Sequence, residues 1–286
     1  EMAKNHWIEE IPVIMISSED SAATIRRAYE LGVADYISRP FDAQVVYRRV
    51  MNTIKLYARQ RRLVDLVTDQ LYEKEKNNRM MIAILSEIVE FRSGESGPHV
   101  LYINMLTKWL LEELVHRTEQ YPLSWTDRLR ICTAASLHDI GKIAVPDSVL
   151  LKNASLTREE YEIIKRHPGL GYHILSAISS YQEIAPIVLC HHERIDGRGY
   201  PNGITGDQIP EEAKMISVAD AFDAMTSHRR YRENLTLEQA VSQLEQGKGT
   251  QFDQKIAEAF IEILKDYEAI REEIAWTFEE TALDLE

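Results

Sequence analysis

The sequence predicts a mainly α protein that begins with a small α/β segment. Helical patterns follow one another from about residue 43 to residue 270, and one large interruption lies near residues 194–212. Residues 1–45 combine two short apolar runs with one helical pattern. The chain has 286 residues, of which 44% are hydrophobic and 28% charged, so it can bury a sizeable core.

The N-terminal segment, residues 1–45, predicts a parallel α/β unit. "IPVIMIS" (11–17) and "VADYISRPF" (33–41) are typical of buried strands, and "SAATIRRAYELG" (21–32) is typical of a helix that ends at Gly32. A strand, a helix and a strand joined by short loops predict parallel pairing. Because two strands make no stable sheet alone, we expect the segment to be the back half of a larger domain.

The next segment, residues 46–80, is predicted to be a helical linker, because almost no Gly or Pro interrupts residues 43–90. Two sets of residues recur every seven positions, and each set would form one seam along the helix. The first seam is more apolar than the second. The first comprises Val50, Tyr57, Val64 and Leu71, and the second Thr53, Gln60, Val67 and Lys74. This spacing favours a parallel two-helix coil between two copies of the chain. The alternative is a helix that packs on its own domain.

Residues 81–270 predict an all-helical domain, and residues 271–286 are left as a C-terminal tail. "LTREEY" (156–161) indicates a helix start, with Thr157 as N-cap and Glu160 three residues later. The eight helical patterns cover 99–116, 126–140, 157–166, 168–178, 182–193, 211–227, 236–246 and 253–270.

Charge and hydropathy exclude several partners. The 33 Lys and Arg against 46 Asp and Glu give a formal charge of −13, which argues against a DNA-binding face but allows a small phosphate ligand. No apolar run reaches the length of a membrane span, and no signal peptide opens the sequence. Cys132 and Cys190 lie in apolar helical contexts, which is typical of core thiols in a reducing compartment. We therefore expect a cytoplasmic protein without a membrane partner.

Histidines and carboxylates recur at or near the ends of the predicted helices, where a bundle can bring them together. Imidazole and carboxylate without cysteine suit Fe or Mn and, less selectively, Zn. The candidates are Glu95, His99, His138, Asp139, His167, His191, His192 and Asp220.

The adjacent His191 and His192 indicate more than one metal, because neighbouring imidazoles can serve different ions. A carboxylate such as Asp139 can bridge two ions, and two ions about 3.5–4 Å apart can clamp a phosphoryl group.

Three motifs together resemble the HD-GYP domain of the HD phosphohydrolase superfamily. They are "HDIGK" (138–142), "HHE" (191–193) and "DGRGYPNGITGDQIP" (196–210), and the resemblance covers about residues 80–270. It implies an all-helical HD-domain bundle that hydrolyses the bacterial second messenger cyclic di-GMP to linear pGpG, to GMP, or to both. It also implies two or three divalent metal ions, Fe or Mn before Zn, Ni or Mg.

The resemblance also implies roles for individual residues. His138, His167, His191, His192 and Asp220 would bind metal and Asp139 would bridge, while Glu95 and His99 would serve a third ion. Asp139 and Lys142 would be catalytic, because the carboxylate can orient the nucleophile and the ammonium can hold a phosphate oxygen. Substrate contacts would come from Lys142, Asp223, Arg229 and Arg232, and Gly199, Tyr200 and Pro201 would belong to a flexible rim beside the metals.

The chain departs from the family pattern at three positions. Tyr102 stands where Arg is frequent, Arg230 stands where Pro is frequent, and His228 replaces a usual acidic residue. None of these departures removes an expected metal ligand.

A second resemblance covers the N-terminal segment. "PVIMISSEDS" and "AYELGVADYISRPF" are similar to the C-terminal half of a response-regulator receiver domain. This resemblance implies that Ser17 and Tyr36 are switch residues and that Arg39 replaces the family's lysine. It also implies a cognate histidine kinase as partner.

Three functions remain open from sequence. The first is a cyclic di-GMP phosphodiesterase that acts as a response-regulator output domain, dimeric through the linker helix. The second is a cyclic di-GMP receptor or interaction module with little turnover, with a diguanylate cyclase as a possible partner. The third is an HD hydrolase of another nucleotide, such as a dNTP or ppGpp.

Overall fold

The computed structural model describes residues 11–93, 99–117, 121, 123–227 and 234–273. These residues are mainly helical, which confirms the predicted fold class. The chain divides into two compact units, one up to Asn78 and one from Arg79 onward. Within the described ranges, no helix is both long enough and apolar enough to cross a membrane.

The first unit contains two parallel strands and a helix. They are β1 (Ile14–Ser17), α1 (Ala22–Glu30) and β2 (Asp35–Ser38), with Ile14 paired to Asp35 and Ser17 to Ser38. Both strands are shorter than predicted. The Ser21 side chain caps α1 by accepting from the Thr24 backbone N–H.

The residues expected to form a receiver switch lie around the ends of these strands. Tyr36 is buried and its hydroxyl donates to the Glu19 carbonyl, while the Ser17 hydroxyl accepts from the Glu19 N–H. Arg39 is exposed and precedes a cis peptide bond to Pro40. Their switch role stays a prediction.

A single helix, α2 (Ala43–Ser93), follows β2 and confirms the long helix predicted from the scarcity of Gly and Pro. Along its predicted seam, Val50 and Tyr57 are half-buried, whereas Val64 and Leu71 are 58% and 62% exposed. Its last turns belong to the second unit, where Ile82, Ser86, Val89 and Glu90 are buried.

The second unit is a bundle of helices, and each of the eight predicted helices has a counterpart in it. The α-helices are α3 (His99–Arg117), α4 (Trp125–Leu137), α5 (Asp147–Leu150), α6 (Arg158–Ile164), α7 (His167–Ser176), α8 (Ala185–Cys190), α9 (Glu211–Thr226), α10 (Leu237–Gly247) and α11 (Gln254–Ile263). Short 3₁₀ helices span Ile140–Ala144, Ser179–Tyr181, Gly206–Gln208 and Leu264–Asp266.

The core of this unit lies where α3 and α9 pack on each other and on α11. Leu106 and Leu110 of α3, Met215 and Phe222 of α9 and Phe260 of α11 are fully buried. Helix α6 begins as predicted, with reciprocal hydrogen bonds between Thr157 and Glu160.

The 3₁₀ helix Ile140–Ala144 packs closely against α7 because Gly141 has no side chain. A Cβ atom at Gly141 would lie 2.0 Å from the His167 carbonyl oxygen and 2.5 Å from the Gly171 nitrogen. Only glycine permits this approach, which places residues 138–142 beside His167.

Candidate metal centre

Three buried histidines share one local geometry. Each lies at or just beyond a helix end, and its Nδ1–H donates to the carbonyl three residues earlier, at 2.6–2.8 Å. The pairs are His138 with Ala135, His167 with Ile164, and His191 with Val188. Since a carbonyl oxygen only accepts, Nδ1 carries a proton in each ring, and Nε2 provides a lone pair whenever the ring is neutral.

The Nε2 atoms of these histidines converge. Nε2 of His167 lies 3.3 Å from Nε2 of His191. Nε2 of His138 is buried without a hydrogen-bond partner. Such a set of inward lone pairs is the arrangement that a metal ion requires.

Asp139 lies between two groups of potential ligands. One group joins it to His167, His191 and His192, and the other joins it to His99 and His138, with candidate atoms within 4.8 Å of one another in each. Its Oδ1 lies 3.0 Å from Nε2 of His167, and its Oδ2 lies 3.3 Å from Nε2 of His138. The two oxygens thus face different histidines.

Lys142 lies one turn beyond the His-Asp pair. Its Nζ is 2.7 Å from Oδ2 of Asp139 and its side chain is 14% exposed. The ammonium therefore lies beside the shared carboxylate.

Asp220 and His192 close the cluster on the side of α9. Asp220 Oδ1 lies 4.0 Å from Nε2 of His138, and its Oδ2 lies 3.9 Å from Nδ1 of His192. The Tyr200 ring lies over the His192 ring, with 4.7 Å between centres and 35° between planes.

Asp223, expected as a substrate contact, is bound to other residues of the protein, and its contact with substrate stays a prediction. It is 1% exposed, and its Oδ2 accepts from Nδ1 of His99 at 2.5 Å, while its Oδ1 accepts from the Ser227 hydroxyl. Both carboxylate oxygens are thus used inside the protein. The carboxylate fixes the His99 tautomer in the way that second ligands behind a metal-binding histidine do.

The charges of the cluster shift its pKa values in opposite directions. Burial would lower the pKa of His138, but Asp139 and Asp220 outweigh it and raise the pKa to about 9. Burial lowers the pKa of His192 to about 4 and that of His191 well below its usual value. Burial would raise the pKa of Asp139, but Lys142 and His138 lower it. At neutral pH Asp139 and Asp220 are therefore ionised, because their pKa values are lowered, and His138 is protonated.

The loop around Gly199, Tyr200 and Pro201 is folded back onto the histidine pair. The Tyr200 N–H donates to the His192 carbonyl, and a Cβ at Gly199 would lie 2.5 Å from Cα of Glu193. Buried Glu193 accepts from the backbone N–H of Asn202 and Gly203. The loop that was expected to be a flexible rim is thus bound to the protein at several points, and its Tyr200 ring packs on the His192 ring.

Three expected site residues, Glu95, Arg229 and Arg232, lie outside the described residues. Contacts that the motifs did not reveal include the one between His99 and Asp223, 124 positions apart. The motifs also did not indicate Tyr161 and Lys165, which line a cavity beside the cluster. Their spacing of four residues, just before His167, predicts that both lie on one helix face near that histidine.

Comparison with known proteins gives a consistent result. The family described as HD domain matches residues 62–256. The chain is 36% identical over 261 residues to the cyclic di-GMP phosphodiesterase response regulator RpfG of Xanthomonas campestris, covering 88% of this chain and 67% of that protein. It is 31% identical over 270 residues to a cyclic di-GMP phosphodiesterase of Thermotoga maritima, covering 89% and 72%.

Among solved structures, a cyclic GMP-AMP specific phosphodiesterase from V. cholerae superposes with a TM-score of 0.51. The superposition covers 68% of this chain and 50% of that one, at 14% identity. This likeness concerns the fold.

Proposed function

Because the chain belongs to the HD-domain family and carries the motifs of its HD-GYP branch, we propose that it is a metal-dependent phosphodiesterase that hydrolyses cyclic di-GMP. It acts as the output domain of a response regulator. The observation that carries this proposal is the convergence of inward imidazole lone pairs on one carboxylate, Asp139.

The donor set fits divalent metal ions. His138 Nε2 and Asp139 Oδ1 are buried polar atoms without a hydrogen-bond partner, a costly state that coordination removes. The rings of His138, His167 and His191 are oriented by backbone carbonyls, so the Nε2 atom of each already faces the cluster before a metal ion binds.

The distribution of donors supports at least two ions. His138 and Asp220 would bind one ion beside Asp139, whereas His167, His191 and His192 would bind another. His99, oriented by Asp223, would serve a third ion, for which the family motif adds Glu95. The absence of thiolate ligands favours Fe or Mn. When bound, such ions lower the pKa of water and neutralise charge on the phosphate.

The residues of the chain then perform the reaction. Asp139 orients the attacking water and accepts its proton, and the oxygen forms a bond to phosphorus as the bond from phosphorus to the ribose oxygen breaks. The leaving oxygen takes up a proton and linear pGpG forms. Lys142, beside Asp139, stabilises the charge that develops on the phosphate oxygens.

A turnover assay with protein prepared without oxygen and loaded with Mn(II) or Fe(II) tests the proposal. We expect pGpG or GMP from cyclic di-GMP, detected by chromatography, and no product with Asp139→Asn. Retained binding without product under both metals would instead favour the receptor function. Faster cleavage of ppGpp or a dNTP would favour the third function.

A further inference from the structure

A cavity of about 590 Å³ opens beside the candidate metal centre. His192 and Asp220 of the cluster form part of its wall, and Tyr161 of α6 and Lys165, which follows α6, form another part. The volume falls within the range of about 300–1,000 Å³ that is usual for small-molecule sites. A cavity of this size is large enough to hold the remainder of a ligand whose phosphate lies at the cluster.

Tyr161 and Lys165 lie one helical turn apart, so both side chains reach the same wall. Nζ of Lys165 is 4.9 Å from the centre of the Tyr161 ring and 5.9 Å from that of the Tyr200 ring. The ammonium is thus held near two aromatic rings at the edge of the metal cluster.

Lys165, which lines the cavity together with the cations Arg194 and Arg198, can exchange its present partner for a phosphate. Lys165 pairs with Glu162 at 2.7 Å, but the Glu162 side chain is 56% exposed, and such a surface pair contributes little to stability. Arg194, also on the wall, is instead held by both oxygens of Asp196 and by Gln251. Of these two cations, Lys165 is the one with the weaker existing contact.

We propose that Tyr161 and Lys165 form the subsite for the half of the cyclic dinucleotide that is not being cut. The inference rests on the proposed function. A cyclic dinucleotide has two phosphates and two purines, and with one phosphate at the metal cluster the other groups must be bound in the cavity. The Tyr161 ring stacks on a purine, and the Lys165 ammonium pairs with the second phosphate.

Steady-state kinetics with two substrates test the subsite. In Tyr161→Ala and in Lys165→Gln we expect KM for cyclic di-GMP to rise about tenfold. Hydrolysis of bis(p-nitrophenyl) phosphate, which has one phosphate and no base, and metal content should both stay at the wild-type level. Tyr161→Phe, which keeps the stacking ring, should retain a KM close to that of wild type.

Lys152→Gln is the matched control. It removes the ion pair between Lys152 and Glu160, and Glu160 belongs to α6, the helix that contains Tyr161. Lys152 itself does not line the cavity. An unchanged KM for cyclic di-GMP in both test variants overturns the proposal, and so does an equal loss on both substrates.

Failure of the proposed function has a different signature. In that case the wild-type protein hydrolyses the small diester but not cyclic di-GMP. The subsite is then tested by calorimetric binding of cyclic di-GMP, where the two variants should weaken binding about tenfold. Unchanged binding in the variants, or no binding by wild type, overturns it.

Discussion

The backbone fixes the tautomer of the central histidines. His138, His167 and His191 each donate Nδ1–H to a carbonyl three residues earlier, whereas His99 uses the carboxylate of Asp223. A carbonyl three residues back is supplied by the helix end itself, so these histidines need no separate orienting side chain. The histidines are thereby ordered before any ion binds.

The charge state of the metal-free cluster predicts proton release on metal binding. Because Asp139 and Asp220 raise the pKa of His138 to about 9, this residue is protonated at pH 7 and must lose its proton to coordinate. His191 and His192 have lowered pKa values and are already neutral. Metal affinity should therefore rise with pH, about tenfold per unit, and level off above about pH 9.

Calorimetric metal titration at pH 7, in buffers of different ionisation enthalpy, measures this release. We expect about one proton per chain. Heats that do not depend on the buffer would show that His138 is neutral before the metal binds.

At the scale of elements, the contact between the 3₁₀ helix Ile140–Ala144 and α7 brings Asp139 and Lys142 beside His167. Asp139 precedes this short helix, Lys142 lies within it, and His167 begins α7. Gly141 allows their backbones to meet, because its missing Cβ would overlap the His167 carbonyl.

Two glycine-to-alanine substitutions distinguish the effect of this close backbone contact on stability from the effect of helix propensity. Gly141→Ala should destabilise the protein by about 3 kcal/mol and reduce metal content, because the clash is with backbone atoms. Gly169→Ala in α7, where a Cβ meets nothing within 4 Å, should stabilise by about 0.5–1 kcal/mol. Urea denaturation measures both, and equal stabilities of the two variants would contradict the packing argument.

The sequence predicts the helices more completely than it predicts the contacts between them. The Thr157–Glu160 capping box involves only residues within four positions of one another. The sequence alone therefore predicts the helix start at this position. Helix α4 ends at Leu137, three residues before the predicted end, and the chain continues into the 3₁₀ helix Ile140–Ala144, which packs against α7. The contact between His99 and Asp223 joins distant positions, so it follows from the packing of α3 on α9 and not from any local pattern.

At the scale of the molecule, one long helix runs through both compact units. On α2, the seam residues Val64 and Leu71 are more than half exposed, although large apolar side chains normally avoid water. We propose that this seam pairs with the same seam of a second copy in a parallel coiled coil.

Neighbouring substitutions on α2 test the dimer. Leu71→Glu places a charge in the proposed seam and should convert a dimer to a monomer in analytical ultracentrifugation. Tyr72→Glu is the control, since Tyr72 is 69% exposed but lies outside the seven-residue repeat. A wild-type monomer, or the same mass for both variants, would contradict the coiled coil.

Elemental analysis of protein prepared without oxygen tests the central claim most directly, because the proposed chemistry requires metal at this cluster. We predict at least two Fe or Mn ions per chain in wild type and in His173→Ala, whose histidine is exposed outside the cluster. His138→Ala should lose metal and, in parallel, turnover. Wild-type protein without metal, or His138→Ala with undiminished metal, would contradict the account.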